Sequence, residues 1–161
     1  MGSLNIAVTA ATGEGPTSLA AFDAALRSAG VANFNLIRLS SVIPPKAVVH
    51  PRAETDLPPV HSEWGDKLYA VWAFQSAELL GQEAWAGVSW AQDPIDGRGL
   101  FVEHEGGSEA QVRHELAATL TSLCEERGLA HLEQRSVVVG RRCEGQPVGA
   151  LVIAPFQVRG W

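Results

Sequence analysis

Residues 12–45 decide the fold of this chain, and they read TGEGPTSLAAFDAALRSAGVANFNLIRLSSVIPP. Gly13 and Gly15 make a turn, and a proline at residue 16 suits the first turn of a helix, where its missing N–H costs nothing. The apolar residues that follow recur at helical spacing up to a stop at Gly30: Leu19, Phe22, Ala25 and Leu26. The pattern therefore predicts an amphipathic helix of about three to four turns.

The second half of the stretch, residues 33–43 (NFNLIRLSSVI), is predicted to be one strand. Pro44 and Pro45 end it, because neither residue can donate to a ladder of hydrogen bonds. The strand contains the pair Ser40-Ser41. Asn35 lies six residues before Ser41, and on a regular strand this spacing places both side chains on one face.

The remainder of the chain predicts more strands and a second helix. Residues 4–11 and 68–74 read as strands, and residues 84–90 read as the partner of the latter in a hairpin that turns at Gly81. Residues 50–63 are rich in proline and charge and read as a surface loop. A third strand covers residues 99–104, Ser108 caps a helix with a single apolar stripe, and residues 136–139 and 148–153 are the last strands. This order favours one domain, residues 1–161, with an α+β layered sandwich and mainly antiparallel sheets.

Composition limits the class of function. The chain has 161 residues, enough for a sizeable core, and its formal net charge is −6, so no basic field is available for nucleic acid. It contains two cysteines, neither in a metal or redox motif, and two lone thiols are typical of the reducing cytoplasm. We find no signal-peptide pattern, no apolar run long enough to cross a membrane and no histidine spacing that indicates a metal site.

The Ser40-Ser41 pair permits a specific reaction. A serine hydroxyl can attack the preceding carbonyl carbon and convert the peptide into an ester, given strain or close positioning. Elimination from the ester frees a fragment ending at Ser40 and leaves dehydroalanine at Ser41, which hydrolyses to a pyruvoyl group and ammonia. A pyruvoyl ketone forms a Schiff base with a substrate amine and acts as an electron sink. By itself, however, the dipeptide is far more typical of two small polar residues at a strand end before a proline turn.

Two motifs show a resemblance that extends well beyond the serine pair. The chain has AFDAAL at residues 21–26 and NLIRLSSVIP at residues 35–44, joined by a short link. In this order and spacing it resembles the pyruvoyl-dependent arginine decarboxylases. Downstream, GLFVEH at residues 99–104 is similar to the strand on which that family carries a catalytic glutamate.

The resemblance implies a role for each matching residue. Cleavage between Ser40 and Ser41 would give fragments 1–40 and 41–161, and Ser41 would become the covalent pyruvoyl cofactor. Asn35 would assist processing or substrate binding. Asp23 would bind the guanidinium of the substrate, since a carboxylate pairs with that planar group through two hydrogen bonds. Glu103 would return a proton to the product as the general acid, and Glu105, two residues on, is the rival for this role.

The resemblance also implies an overall activity: a self-processing lyase that decarboxylates arginine to agmatine for polyamine biosynthesis. It implies an αββα sandwich, assembled in the cytoplasm as a homotrimer of cleaved protomers with active sites at the interfaces. No metal, diffusible cofactor, nucleic acid or membrane partner is expected. Two alternatives stay open: the same cofactor acting on another amino acid, and an uncleaved homologue that serves as a binding or scaffold subunit.

Overall fold

A computed structural model of the chain describes residues 3–161, which form nine strands and two α-helices. The helices are α1 (Ser18–Ser28) and α2 (Glu109–Glu126). The strands are β1 (Leu4–Glu14), β2 (Asn35–Arg38), β3 (Val42–Ile43), β4 (Ala47–Pro51), β5 (Lys67–Ala77), β6 (Glu83–Gln92), β7 (Gly99–Gly106), β8 (Gln134–Arg142) and β9 (Val148–Arg159). Within residues 3–161, neither helix is long and apolar enough to cross a membrane.

The strands form two sheets. The five-stranded sheet has the order β2-β5-β9-β1-β4, and the four-stranded sheet has the order β3-β7-β6-β8. Pairs β1–β4 and β2–β5 are parallel, whereas the other five pairs are antiparallel. The prediction of mainly antiparallel sheets is therefore confirmed.

The two sheets pack face to face, and each carries one helix on its outer face. Buried side chains between the sheets form the largest apolar cluster, which includes Ile6, Val71, Val88 and Phe101. On the outer side of the five-stranded sheet, Ala25 and Leu26 of α1 lie among Leu151 and Ile153 of β9. Three residues of α2 cover the four-stranded sheet in the same way: Val112, Leu116 and Leu120. The architecture is an αββα sandwich, as the resemblance implied.

Both helices begin at a residue whose side chain caps the first turn. Thr17 accepts a hydrogen bond from the backbone N–H of Ala20 at 3.1 Å, so α1 starts slightly later than its proline suggests. Ser108 accepts from the backbone N–H of Gln111 at 3.2 Å, as predicted. The side chain of Gln111 donates to Glu115 and does not accept from the backbone N–H of Ser108, so only one of the two hydrogen bonds of a capping box forms.

The predicted hairpin of residues 68–74 and 84–90 is wrong. Strand β5 pairs with β2 and β9, while β6 pairs with β7 and β8 in the other sheet. The segment between them passes from one sheet to the other, and the inner faces of the two strands pack together, for example through Val71 and Val88. A strand with alternating apolar residues can bury them against a facing sheet as well as it can when it pairs with its neighbour in a hairpin.

Candidate active site

Ser40 and Ser41 lie where the chain crosses from one sheet to the other. Strand β2 ends at Arg38, and the backbone N–H of Leu39 still donates to the carbonyl of Ala70 in β5 at 3.0 Å. Three residues later, at Val42, the chain enters β3, which pairs with β7 in the four-stranded sheet. The single strand predicted for residues 33–43 is therefore wrong, because Leu39 to Ser41 break it and its two halves belong to different sheets.

Ser41 has an unusual backbone. Its φ is 74°, in the left-handed region that non-glycine residues seldom adopt, and such a conformation costs about 1–3 kcal/mol. The carbonyl of Ser41 accepts a hydrogen bond from the backbone N–H of Phe101 at 2.8 Å, which ties the residue to β7. Strain and fixed position thus coincide at the serine that the resemblance marks for cleavage.

The side chain of Ser41 contacts one carboxylate. Its hydroxyl Oγ lies 2.9 Å from both Oε1 and Oε2 of Glu103, to which it donates. Glu103 lies two residues after Phe101 on β7, and side chains two apart project from the same face of a strand. One strand therefore holds the Ser41 carbonyl through Phe101 and the Ser41 hydroxyl through Glu103.

The surroundings of Glu103 make its carboxyl group a weaker acid than an exposed one. Burial raises the pKa of its carboxyl group above the ordinary 4.5, and the hydrogen bond from Ser41 and the charges of Arg38 and His104 only partly offset this. As a carboxylate, Glu103 can remove the hydroxyl proton of Ser41. As a carboxylic acid, it can donate a proton to a nearby carbon.

Arg38 is a residue near the site that the sequence reasoning missed. Its guanidinium carbon lies 4.3 Å from the centroid of the Trp72 ring, an arrangement typical of a cation–π contact. Burial raises the pKa of the Glu103 carboxyl group, and the charge of Arg38 offsets part of that rise. The available signal was a cation three residues before Ser41, placed between the apolar Ile37 and Leu39.

Asn35 is not in contact with Ser41 within one chain. Its side-chain Nδ2 donates to the carbonyl of Gly65 at 2.8 Å. Asn35 lies four residue steps, or about 13 Å of extended strand, before Leu39, where the chain leaves β5. The expectation that Asn35 and Ser41 share the face of one regular strand is therefore wrong.

Asp23 lies on the exposed side of α1, on the outer face of the five-stranded sheet. Its Oδ2 lies 3.0 Å from Nε of Arg27, one turn along the helix, and both side chains are more than half exposed. The structure thus brings together Ser41 and Glu103 but places Asp23, like Asn35, elsewhere on the same protomer.

The neighbours of Glu103 on β7 have other surroundings. Glu105 is exposed and makes no hydrogen bond or ion pair within residues 3–161, although its charge contributes to the raised pKa of Glu103. His104 faces α2, where its Nε2 lies 2.8 Å from Oγ1 of Thr119 and its Nδ1 lies 3.4 Å from Oε2 of Glu115. Of the two carboxylates, only Glu103 reaches Ser41.

A cavity of about 590 Å³ opens beside the crossing segment. Leu39 and Pro44, which flank the serine pair on either side, belong to its lining together with Tyr69 and Phe156. Within residues 3–161, no group of three His, Cys, Asp or Glu side chains is arranged to hold a metal ion.

The sequence is similar to those of curated pyruvoyl-dependent arginine decarboxylases. The pyruvoyl-dependent arginine decarboxylase of Halobacterium salinarum strain R1 is 47% identical over 93 residues, which cover 57% of this chain and 54% of that protein. The enzyme of that name from Methanococcus maripaludis strain C6 is 38% identical over 102 residues, 62% of this chain and 57% of its own length. The chain thus spans a little over half the length of the curated relatives it matches.

Among solved structures, a pyruvoyl-dependent histidine decarboxylase at pH 8 matches with a TM-score of 0.43 and 16% identity, covering 62% of this chain and 52% of the other. The family model for pyruvoyl-dependent arginine decarboxylase matches residues 5–154, which is nearly the whole chain. The chain therefore belongs to the pyruvoyl-dependent arginine decarboxylase family.

Proposed function

We propose that this chain cleaves itself between Ser40 and Ser41, converts Ser41 into a pyruvoyl group and decarboxylates arginine to agmatine. The contact between the hydroxyl of Ser41, in its left-handed backbone, and the carboxylate of Glu103 carries the proposal. This contact supports the proposal because it would pair a nucleophile with a base beside the peptide bond that is proposed to break. Fragments 1–40 and 41–161 would result.

Processing needs one nucleophile and one proton acceptor. The Ser41 Oγ gives its proton to Glu103 and attacks the Ser40 carbonyl carbon; the carbon–nitrogen bond breaks, which leaves an ester and a free amine. Loss of the Ser41 Cα proton and cleavage of the Cβ–oxygen bond release the carboxyl group of Ser40 and leave dehydroalanine. Water then replaces the nitrogen, which departs as ammonia, and the pyruvoyl group remains. The arrangement of Ser41 and Glu103 fits the first step.

In decarboxylation, the pyruvoyl group supplies a carbonyl that accepts the electrons released with CO2. The substrate Cα then needs a proton. Burial keeps Glu103 protonated to a higher pH than an exposed carboxyl group, which suits it as the donor. Since Glu103 lies beside Ser41, it lies beside the carbon atoms that Ser41 contributes to the cofactor.

Asp23 is the proposed ligand for the substrate guanidinium. It already pairs with a guanidinium, that of Arg27 on the same helix, so a substrate would compete with an exposed and weakly held partner. We expect Asp23→Ala to abolish turnover of arginine while leaving self-cleavage intact. Unchanged arginine turnover would contradict this role and favour another amino acid as substrate.

The proposed assembly is a homotrimer of cleaved protomers with active sites between copies. Asp23 lies on the outer helix and Asn35 about four residues from the point where the chain turns towards Ser41. Within one protomer neither contacts Ser41 or Glu103, so a neighbouring copy would have to supply them. We also place the protein in the cytoplasm, a proposal that the free thiols of Cys124 and Cys143 support.

Intact mass spectrometry under denaturing conditions tests the proposal first. We expect two fragments split after Ser40, the larger lighter than its serine-started form by one ammonia, and CO2 release from arginine when a panel of amino acids is assayed. The Ser41→Ala variant is the control, since it lacks the nucleophile and should stay whole. A wild-type chain that remains uncleaved would instead indicate a binding or scaffold subunit.

A further inference from the structure

The carbonyl of Gly65 accepts hydrogen bonds from two side chains at once. Asn35 Nδ2 lies 2.8 Å away and Trp161 Nε1 lies 2.9 Å away. The turn that carries this carbonyl is tied to the start of β2 on both sides, because the Gly65 N–H donates to Asn33 and the Asn35 N–H donates to Asp66. The carbonyl therefore has a fixed position relative to Asn35.

A carbonyl can only accept, so this contact decides which way the carboxamide of Asn35 faces. Its nitrogen must point towards Gly65, and its oxygen points away. Within residues 3–161 the oxygen has no hydrogen-bond partner. A carboxamide oxygen left free in this way can accept from the cationic N–H groups of a basic amino acid.

Trp161 is held although it is almost entirely exposed. The residue is 89% exposed, so its ring buries little apolar surface. Two directed contacts fix it instead: the indole N–H to Gly65, and the ammonium of Lys67 at 4.4 Å from the ring centroid. Its main effect on the protein is therefore exerted at the Gly65 carbonyl.

We propose that Trp161 is a positioning residue for Asn35, acting through the Gly65 carbonyl that both side chains share. By occupying one of the two lone pairs of this carbonyl, Trp161 confines Nδ2 of Asn35 to the other, and so keeps the carboxamide oxygen of Asn35 turned outwards to accept from an N–H group of the substrate. The inference rests on the proposed function in one respect, namely that Asn35 binds the substrate. The ligand class is an amino acid with a cationic side chain.

The variant Trp161→Phe tests the inference because it keeps the aromatic ring and removes only the indole N–H. We expect KM for arginine to rise about fivefold, the size of one net hydrogen bond, with kcat and self-cleavage unchanged. Trp64→Phe is the matched control. Trp64 is also exposed, at 84%, and is the immediate neighbour of Gly65, yet its indole donates to no residue in the described chain. It should leave KM unchanged.

A double-mutant cycle separates positioning from a direct effect. In the Asn35→Ala background, adding Trp161→Phe should no longer change KM, since the residue through which it acts is gone. An undiminished effect of Trp161→Phe in that background would overturn the inference. Asn35→Ala with an unchanged KM would instead remove the proposed role of Asn35 in substrate binding.

A measurement independent of activity decides the positioning itself. In NMR spectra, the side-chain amide protons of Asn35 should shift in Trp161→Phe and stay in place in Trp64→Phe. Failure of the protein to decarboxylate arginine would sink the proposed function while leaving this readout intact. Asn35 amide resonances that are the same in the wild type and in Trp161→Phe would refute the inference.

Discussion

Ser41 and Glu103 are 62 residues apart in sequence and meet through a single hydrogen-bonded contact. The backbone of Ser41 is held in a conformation that costs free energy, by the pairing of β3 with β7 and by the N–H of Phe101. The strain therefore lies at the residue whose bond to Ser40 is the proposed cleavage site. Relief of that strain would favour the proposed cleavage.

Replacing Glu103 by glutamine should slow self-cleavage. The variant keeps the shape of the side chain but loses the base that takes the proton of Ser41, and we expect the rate to fall about 100-fold or more. The fraction of cleaved chain over time, measured by denaturing mass spectrometry, checks this. Glu105→Gln is the control, because Glu105 lies on the same strand without reaching Ser41. Equal rates in the two variants would exclude Glu103 as the base.

The rate of self-cleavage should depend on pH through Glu103. The base form is the deprotonated one, and burial raises the pKa of this carboxyl group above 4.5. Cleavage should therefore accelerate as pH rises through the raised pKa and level off above it. The rate of decarboxylation should depend on pH in the opposite direction, because it needs the protonated form. It should fall as pH rises through the pKa that Glu103 has after cleavage. A cleavage rate that reaches half of its maximum at or below pH 4.5 would contradict the prediction.

At the scale of elements, the sequence predicted the helices better than the strand pairing. Thr17 and Ser108 are local capping signals, and the apolar stripe of each helix is readable within the helix itself. Strand pairing depends on distant partners. Strands β5 and β6 alternate as a hairpin would, but alternation is the same whether two strands pair edge to edge or pack face to face.

In the candidate site, too, the sequence predicted individual residues better than their arrangement in space. Family motifs singled out Ser41 and Glu103, and the register of β3 on β7, which no local pattern encodes, brings them into contact. The predicted common face of Asn35 and Ser41 failed because it assumed a regular strand, and a left-handed residue interrupts that strand. The position of Asp23 relative to Ser41 depends on which sheet face carries α1.

The contact between α1 and β1 depends on a glycine. A Cβ on Gly13 would lie 2.4 Å from backbone atoms of both Ala21 and Ala25, and helix backbone cannot move aside as a flexible side chain can. We expect Gly13→Ala to lower the free energy of unfolding by about 1 to 3 kcal/mol, measured by urea denaturation. Gly107→Ala is the control, since a Cβ there meets nothing within 4 Å. Equal stability of the two variants would show that α1 adjusts freely.

At the scale of the whole molecule, the proposed cut divides both the chain and the five-stranded sheet. Fragment 1–40 carries β1, α1 and β2, and β1 lies between β9 and β4 of the larger fragment. Strand β2 pairs with β5, and α1 packs on β9. The smaller fragment therefore supplies an interior strand, an edge strand and the outer helix of this sheet.

The two fragments should consequently remain together after cleavage. We expect a cleaved sample to elute as one species in size-exclusion chromatography under native conditions, with both fragments present at equal molar amounts. In denaturant the two should separate. Recovery of residues 41–161 alone from a native column would contradict the prediction that β1, held between β9 and β4, keeps the fragments together.

Whether the Ser40–Ser41 bond is intact also determines the kinetic order of refolding. While that link is intact, refolding is unimolecular and independent of dilution. Once it is cut, renaturation becomes a second-order encounter between two polypeptides, so the melting temperature of the processed protein should rise with its concentration. A gap for β1 must also stay open in the larger polypeptide until the smaller one arrives, which makes folding before cleavage the efficient order of events.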